Sequence, residues 1–209
     1  PFWAGTYLPK HGLLSLLPEA ERLWREERGD LLSAGEELTD YLRQAEETRP
    51  GAPKQAIVDR AATQFAQSFD SRWGGFGRAP KFPTPHNLIF LMRYANRTKN
   101  RAAMKMAEVT LEAMYRGGLF DHVGGGFSRY STDAQWLVPH FEKMLYDNAL
   151  LLTAYTEAYQ RTKKTEYADI ARRTADYVLR EMTSREGGYF SAQDADSDGV
   201  EGKYYLLSG

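Results

Sequence analysis

The side chains best suited to chemistry lie in one stretch of the chain, between residues 121 and 148. This stretch contains acids, bases, aromatic rings and an amide: Asp121, His122, Arg129, Tyr130, Trp136, His140, Glu142, Lys143, Asp147 and Asn148. Aromatic rings can stack on a sugar, while charged groups fix its hydroxyls. The segment therefore predicts a polar cleft for a hydroxyl-rich ligand.

We expect His140 and Glu142 to act as an acid/base pair. Pro139 predicts a helix start, which would place both residues in the first helical turn. The helix dipole disfavours the imidazolium form there, so His140 could be held as a neutral base. The alternative is structural: Glu142 only complements the dipole, His140 caps the turn, and His122 is an ordinary hydrogen-bonded histidine.

A second group of carboxylates lies between Asp194 and Gly199. Its alternating acids and final glycine imitate the opening of an EF-hand loop, but the twelfth position is Tyr205, where a bidentate glutamate is required. We therefore predict no metal site. Asp194 and Asp196 could cap the backbone amides of a polar turn, or form a carboxylate pair for glycoside chemistry.

Lys81 lies in a loop stiffened by Pro80 and Pro83, from which it could reach the same cleft. A solvated lysine is an equally simple interpretation. The predicted catalytic residues are His140, Glu142, Asp194 and Asp196. The predicted substrate-binding residues are Lys81, His122, Arg129, Tyr130, Trp136 and Asp147.

Composition excludes several other functions. The chain has no cysteine, which rules out disulfides and thiolate chemistry within it. Its 27 basic and 28 acidic residues give a net charge of -1, so nucleic acid is not an expected partner. No apolar run approaches the roughly 20 residues that span a bilayer, and no phosphate-loop or dinucleotide fingerprint is present. We expect a cytoplasmic protein with no membrane partner and no cofactor.

The stretch Thr48 to Pro53 is the clearest linker, because its two prolines and glycine disfavour a continuous helix. Before it, a helical pattern begins at Pro18, with Gly29 and Gly35 as weak points. Pro1 to Pro9 predicts a short strand or extended arm. Since this arm has no pairing strand nearby, it is a candidate for self-association.

Five amphipathic helices are predicted after the linker. Thr84 and Pro85 supply the cap and first position of the second helix, Gly117 and Gly118 stop the third, and Thr165 can cap the fifth. The apolar patterns run over residues 57–69, 85–94, 103–114, 139–159 and 165–182.

Glycine-rich turns follow three of these helices, at residues 73–76, 124–127 and 186–189, and each ends in an aromatic residue. Repeated helical hairpins predict a toroid or a solenoid. A ring of six hairpins needs more chain, so we expect about half a ring, with the turns on one side around one concavity. Alternatively, the glycine pairs merely terminate helices.

Three long runs carry a family resemblance: GGFGRAPKFPTP from Gly74, GGLFDHVGGGFSRYSTDAQWLVPHFEKMLYDNALL from Gly117 and GGYFSAQDADSDGVEGKYY from Gly187. They resemble the thioredoxin-domain-containing proteins related to spermatogenesis-associated protein 20. That resemblance implies a thioredoxin-like domain followed by an (α/α)6 toroid similar to N-acylglucosamine 2-epimerases and six-hairpin glycosidases. It further implies that the cysteine-bearing part of the first domain lies upstream of Pro1.

The predicted fold is mainly all-α. Residues 1–47 are expected to be the last strand and helix of a thioredoxin-like domain, residues 48–53 a linker, and residues 54–209 the first half of the toroid. The predicted activity is sugar epimerisation, isomerisation or glycoside chemistry by acid/base residues. The alternative is a non-catalytic ligand- or protein-binding module attached to a thioredoxin-like redox domain.

Overall fold

A computed structural model describes residues 7–46, 51–52 and 54–206. The chain divides into two compact units between Pro53 and Lys54. The predicted N-terminal arm lies mostly outside the described residues, and Tyr7 to Pro9 have no regular secondary structure.

The first unit contains helices α1 (Lys10–Glu26) and α2 (Arg28–Glu46), which pack against each other. The prediction that the helix starts at Pro18 was wrong, because α1 begins at Lys10 and contains Pro18. Four leucines between residues 13 and 17 are good helix formers and support the turn that precedes the proline. The break between the helices falls at Glu27, and Gly29 and Gly35 both lie within α2.

The second unit contains five α-helices among its described residues, which confirms the predicted number. They are α3 (Gln55–Ser68), α4 (Pro85–Thr98), α5 (Arg101–Arg116), α6 (Leu145–Thr162) and α7 (Thr165–Glu181). Helices α4 and α5 form one hairpin, α6 and α7 form the next, and α4 packs against α6. Their shared core includes Leu88, Leu111 and Tyr155, all fully buried.

The hairpins have equivalent tips. Lys99 after α4 and Lys163 after α6 both adopt the left-handed conformation, with φ 61°. Pro85 is the first residue of α4, as predicted, after Thr84. Thr165 is the first residue of α7 rather than its cap, because Lys164 occupies the N-cap position.

The described residues also form six two-residue strands, which lie between α5 and α6 and after α7. They are β1 (Tyr130–Ser131), β2 (Pro139–His140), β3 (Lys143–Met144), β4 (Ala192–Gln193), β5 (Asp196–Ser197) and β6 (Val200–Glu201). The antiparallel pairs are β1 with β2, β3 with β4, and β5 with β6.

The predicted helix start at Pro139 was therefore wrong. Pro139 and His140 form β2, and α6 begins only at Leu145. The fixed φ of proline suits an extended residue as well as a first helical turn, and here Ser131 is the backbone partner of Pro139. His140 and Glu142 precede the helix, so the argument from the helix dipole does not apply to them.

The three glycine-rich turns follow α3, α5 and α7, and each closes with an antiparallel bridge: Phe69 to Phe76, Phe120 to Phe127 and Thr183 to Tyr189. Backbone pairing also connects the regions after the turns. Lys81 pairs with Ser131, and Lys143 pairs with Gln193. The turns thus lie side by side at one end of the hairpins, as predicted.

Candidate acid/base site

A polar cluster lies where β1 and β2 meet the start of α6. We call its members, Arg129, Tyr130, Ser131, His140, Glu142 and Asp147, the Asp147 cluster. Strand pairing sets Tyr130 opposite His140, and their rings stack with centroids 4.9 Å apart at 18°. Phe82 lies 4.8 Å from the Tyr130 ring and is about half exposed. The strands thus hold an aromatic stack with one end open to solvent.

Arg129 and Glu142 form the charged part of the cluster. The Arg129 Nη1 atom donates to Glu142 Oε2 at 2.8 Å, and the Arg129 backbone N–H donates to the Glu142 carbonyl at 2.8 Å. Both side chains are partly exposed. The two contacts fix the arginine and the carboxylate together beside β2.

Asp147 lies in the first turn of α6 and is 6% exposed. Burial raises the pKa of its carboxyl group to about 6, with the Arg129 charge opposing this rise and the Glu142 charge adding to it. A carboxyl group with this pKa exchanges protons near neutral pH. It therefore suits general acid/base catalysis.

Several polar atoms of this cluster are buried and have no hydrogen-bond partner among the described residues. They are Arg129 Nε, Ser131 Oγ, His140 Nδ1 and Asp147 Oδ2. Buried polar atoms are usually paired, and an unpaired one implies a functional role or a partner such as water. Because these four atoms are shielded from solvent, a ligand reaches them only if neighbouring side chains move.

The β5–β6 hairpin borders the cluster. Glu201 Oε1 lies 3.7 Å from His140 Nε2, and Glu201 is paired with Asp196 across the hairpin. Asp194 and Asp196 are exposed, and Asp194 Oδ1 accepts from the Asp196 backbone N–H at 3.1 Å. This contact matches the polar-turn alternative for these residues.

Lys81 and Trp136 were predicted to bind substrate, but the structure places both in the core. Lys81 is 1% exposed, and its Nζ donates to Asp70 Oδ2 at 2.6 Å and to the Gly74 carbonyl at 2.7 Å. Trp136 is fully buried and donates from Nε1 to the Trp73 carbonyl at 3.0 Å. These contacts assign both residues a structural role at the first turn.

Lys143 repeats the arrangement at the second turn. Its Nζ donates to Asp121 Oδ2 and to the Gly125 carbonyl, both at 2.8 Å, and lies 4.4 Å from the centre of the Tyr177 ring. Burial lowers the pKa of Lys143, while its hydrogen bond to Asp121 opposes the change. The equivalence of the two buried lysines has a signal in the sequence: both turns contain Phe-Asp followed at the same spacing by Gly-Gly-Phe. The sequence analysis did not use this match to predict the burial of the lysines.

His122 lies outside the cluster. It is exposed, its ring packs against Phe120 and Tyr115, and its carbonyl accepts from Arg173. The predicted single concavity around all of these residues is therefore not formed by the described residues, since His122 lies elsewhere and Lys81 and Trp136 are buried. Of the predicted residues, Arg129 contacts Glu142 and Tyr130 contacts His140, and the charges of Arg129 and Glu142 act on Asp147. Sequence reasoning did not single out Ser131, which is buried in β1.

A cavity of about 270 Å³ opens beside the same strands and includes Asp121, Pro139, Phe141 and Tyr205 in its lining. Phe141 and Tyr205 stack within it at 5.2 Å. Within the described ranges, no group of three or more His, Asp or Glu side chains is arranged to hold a metal ion. None of the helices described is both long and apolar enough to span a bilayer.

The chain is homologous to spermatogenesis-associated protein 20. It is 40% identical to the Homo sapiens protein over 227 aligned positions, covering 99% of this chain and 29% of that protein. An uncharacterised protein of Caenorhabditis elegans is 34% identical, over 94% of this chain and 28% of its own length. The chain thus spans less than a third of these relatives. No protein-family model matches it.

Solved structures establish the fold. A cellobiose 2-epimerase from Bacillus thermoamylovorans aligns with a TM-score of 0.58 at 17% identity, covering 74% of this chain and 46% of the other. The cellobiose 2-epimerase from Spirochaeta thermophila aligns with a TM-score of 0.57 at 22% identity, covering 66% of this chain and 39% of the other. An unsaturated glucuronyl hydrolase specific for heparin aligns with a TM-score of 0.55 at 14% identity, covering 66% of this chain and 42% of the other. The fold is thus part of an (α/α)6 toroid, as predicted.

Proposed function

We propose that this protein binds a sugar-like small molecule at the Asp147 cluster and transfers a proton to or from it, as in sugar epimerisation or isomerisation. The buried Asp147 carboxyl group, with its pKa of about 6 and unpaired Oδ2, is the observation that carries this proposal. Support comes from the toroid fold, which the chain shares with sugar epimerases and a glycoside hydrolase.

Each member of the cluster has a role in this proposal. Asp147 exchanges the proton, because both of its protonation states are populated near neutral pH. His140 is the second acid/base group, and Glu142 holds Arg129 in place. Arg129 binds ligand oxygens. The exposed Phe82, at the open end of the stack with Tyr130, offers an aromatic face to the ring. Asp194 and Asp196 are exposed, and in this proposal they do not transfer the proton.

Turnover by His140→Gln and Glu142→Gln tests this proposal. The native-length protein is first incubated with a library of mono- and disaccharides, and NMR detects an epimer, an isomer or a hydrolysis product. We expect each substitution to reduce turnover by roughly 10²- to 10⁴-fold, because proton transfer or its positioning is lost. His86→Gln and Glu186→Gln change exposed residues outside the cluster and should leave turnover unchanged.

The same turnover measurements distinguish catalysis from a second candidate function, that of a non-catalytic binding module. That candidate is favoured by the structural roles of Lys81 and Trp136, which leave fewer groups at the site. Sugar binding without any product, or turnover that is equal in all four variants and the wild type, would contradict catalysis at this cluster.

We also propose the larger context of the chain. Residues 1–47 would be the remnant of a thioredoxin-like domain and residues 54–209 half of the toroid, in a cytoplasmic protein. The division of the chain between Pro53 and Lys54 supports this boundary. Helices α1 and α2 are the regular elements of residues 7–46, and residues 1–6 of the expected strand lie outside the described residues.

A further inference from the structure

A second cavity, of about 800 Å³, lies at the end of the hairpins remote from the Asp147 cluster. It is formed by the C-terminal ends of α4 and α6 and the N-terminal end of α5. Helix α6 has 18 residues and is about 27 Å long, which separates its two ends and the sites beside them. We call this cavity the cationic pocket. Its lining residues are Met92, Ala95, Asn96, Lys99, Asn100, Arg101, Met104, Gln160 and Arg161.

The lining combines three kinds of side chain. Met92, Ala95 and Met104 are apolar, three residues carry carboxamides, and three carry positive charge, while no carboxylate is among the described lining residues. Lys99 and Arg161 lie at helix C-terminal ends, where the helix dipole favours a cation. Their positions alone therefore have a structural explanation.

Arg101 has no such explanation. It is the first residue of α5, at the end where the dipole disfavours a cation, and α5 has no acidic residue in its first turn. The equivalent helix α7 has Glu166 there. Arg101 thus adds positive charge that its own helix does not neutralise.

Arg161 has an unused donor. Its Nε atom is buried and has no hydrogen-bond partner among the described residues. Its guanidinium is 3.6 Å from Glu157, a carboxylate that already binds Arg93 at 2.5 Å. A buried guanidinium N–H without an acceptor is costly. The Arg161 side chain is 24% exposed and lines the pocket, so a rotation of the guanidinium toward a bound anion would give Nε an acceptor.

We propose that the cationic pocket binds a phosphorylated small molecule with an apolar or aromatic body, such as a nucleotide. Guanidinium groups match the geometry of phosphate oxygens. The methionine side chains give a polarisable surface for a ring, and the carboxamides can hydrogen-bond its polar edge. The volume is in the usual range for small-molecule sites. This site is independent of the proposed sugar chemistry.

Calorimetric titration of the native-length protein with ADP, adenosine and inorganic phosphate tests the proposal. We expect ADP to bind more tightly than adenosine or phosphate, with an affinity that falls as salt is raised. Arg101→Gln and Arg161→Gln should each weaken ADP binding by about tenfold or more, because a hydrogen bond to a charged group is lost. Arg161→Lys keeps the charge but loses Nε, and should also weaken binding.

Lys105→Gln is the matched control, since it removes an exposed cation of α5 that does not line the pocket. It should leave ADP affinity unchanged, and Arg101→Gln should leave any sugar turnover unchanged. Absence of ADP binding, equal affinity for ADP and either of its parts, or equal effects of Arg101→Gln and Lys105→Gln would overturn the proposal. If Arg161→Gln fails to fold, the ADP affinity of Arg101→Gln, which changes an exposed residue, decides between the outcomes.

Discussion

At the scale of single residues, Asp147 should destabilise the folded protein above about pH 6. Its pKa is about 6 in the folded chain, against 3.8 ordinarily. Between these values the folded state binds more protons than the unfolded state, so the free energy of unfolding falls as pH rises through this window. Asp147→Asn removes the titration, and should be more stable than the wild type by ~3 kcal/mol at pH 8.

Urea unfolding at several pH values between 4.5 and 8 measures this difference. The advantage of Asp147→Asn over the wild type should grow with pH up to about 6 and then level off. Asp169→Asn, which changes an exposed carboxylate of α7, should show no such trend. A constant difference between Asp147→Asn and the wild type would mean that Asp147 titrates normally.

The sequence singled out most residues of the Asp147 cluster but did not predict which of them are buried. Arg129, His140, Glu142 and Asp147 were recognisable by residue type and spacing, since they fall within 19 positions of one another. The burial of Lys81 was not predictable in this way, because it depends on contacts with Asp70 in the preceding turn and with Trp136 from a distant part of the chain. Ser131 was missed because a lone serine carries no pattern.

At the scale of elements, the glycine-rich turns are required by close packing as well as by backbone conformation. Gly75 has φ +79°, and a Cβ built there would lie 2.6 Å from Trp136 Cζ2. Gly77, two residues later, has φ +77°, and nothing lies within 4 Å of its added Cβ. The two glycines therefore separate the effect of conformation from that of packing.

We expect Gly77→Ala to cost about 1–2 kcal/mol, the penalty of a left-handed residue. Gly75→Ala should cost a further ~1–3 kcal/mol, since Trp136 is fully buried and overpacking forces it to move. Chemical denaturation of both variants gives the comparison. Equal losses of stability would show that the contact between this turn and Trp136 is looser than the structure indicates.

The elements themselves were predicted unevenly. Five helices in the second unit followed from amphipathic periodicity, and Pro85 marked the start of α4 correctly. Pro139 misled because proline fits an extended strand as well as a first helical turn, and the deciding partner, Ser131, belongs to another segment. The β5–β6 hairpin has Asp198 and Gly199 at positive φ, as an Asp-Gly turn between strands prefers, and this signal was overlooked.

At the scale of the whole molecule, the repeat of hairpin and turn was visible in the sequence and predicted a toroid or a solenoid. The family resemblance then selected the (α/α)6 toroid. The chain aligns with 46% of a cellobiose 2-epimerase chain, as expected for about half a ring. The chemistry carried by a complete ring is not predictable from these residues, because a central site would draw side chains from hairpins beyond those described. We propose that the Asp147 cluster is the part of such a site that this chain supplies.

Deuterium incorporation tests the central claim, proton transfer at Asp147, most directly. The native-length protein and its Asp147→Asn variant are incubated in D2O with the sugar that the library identifies, and NMR follows solvent deuterium entering a carbon-bound position. We predict incorporation by the wild type, and a rate roughly 10²- to 10⁴-fold lower in the variant. Incorporation at equal rates in the two proteins, or product formation without any deuterium at carbon, would contradict the account.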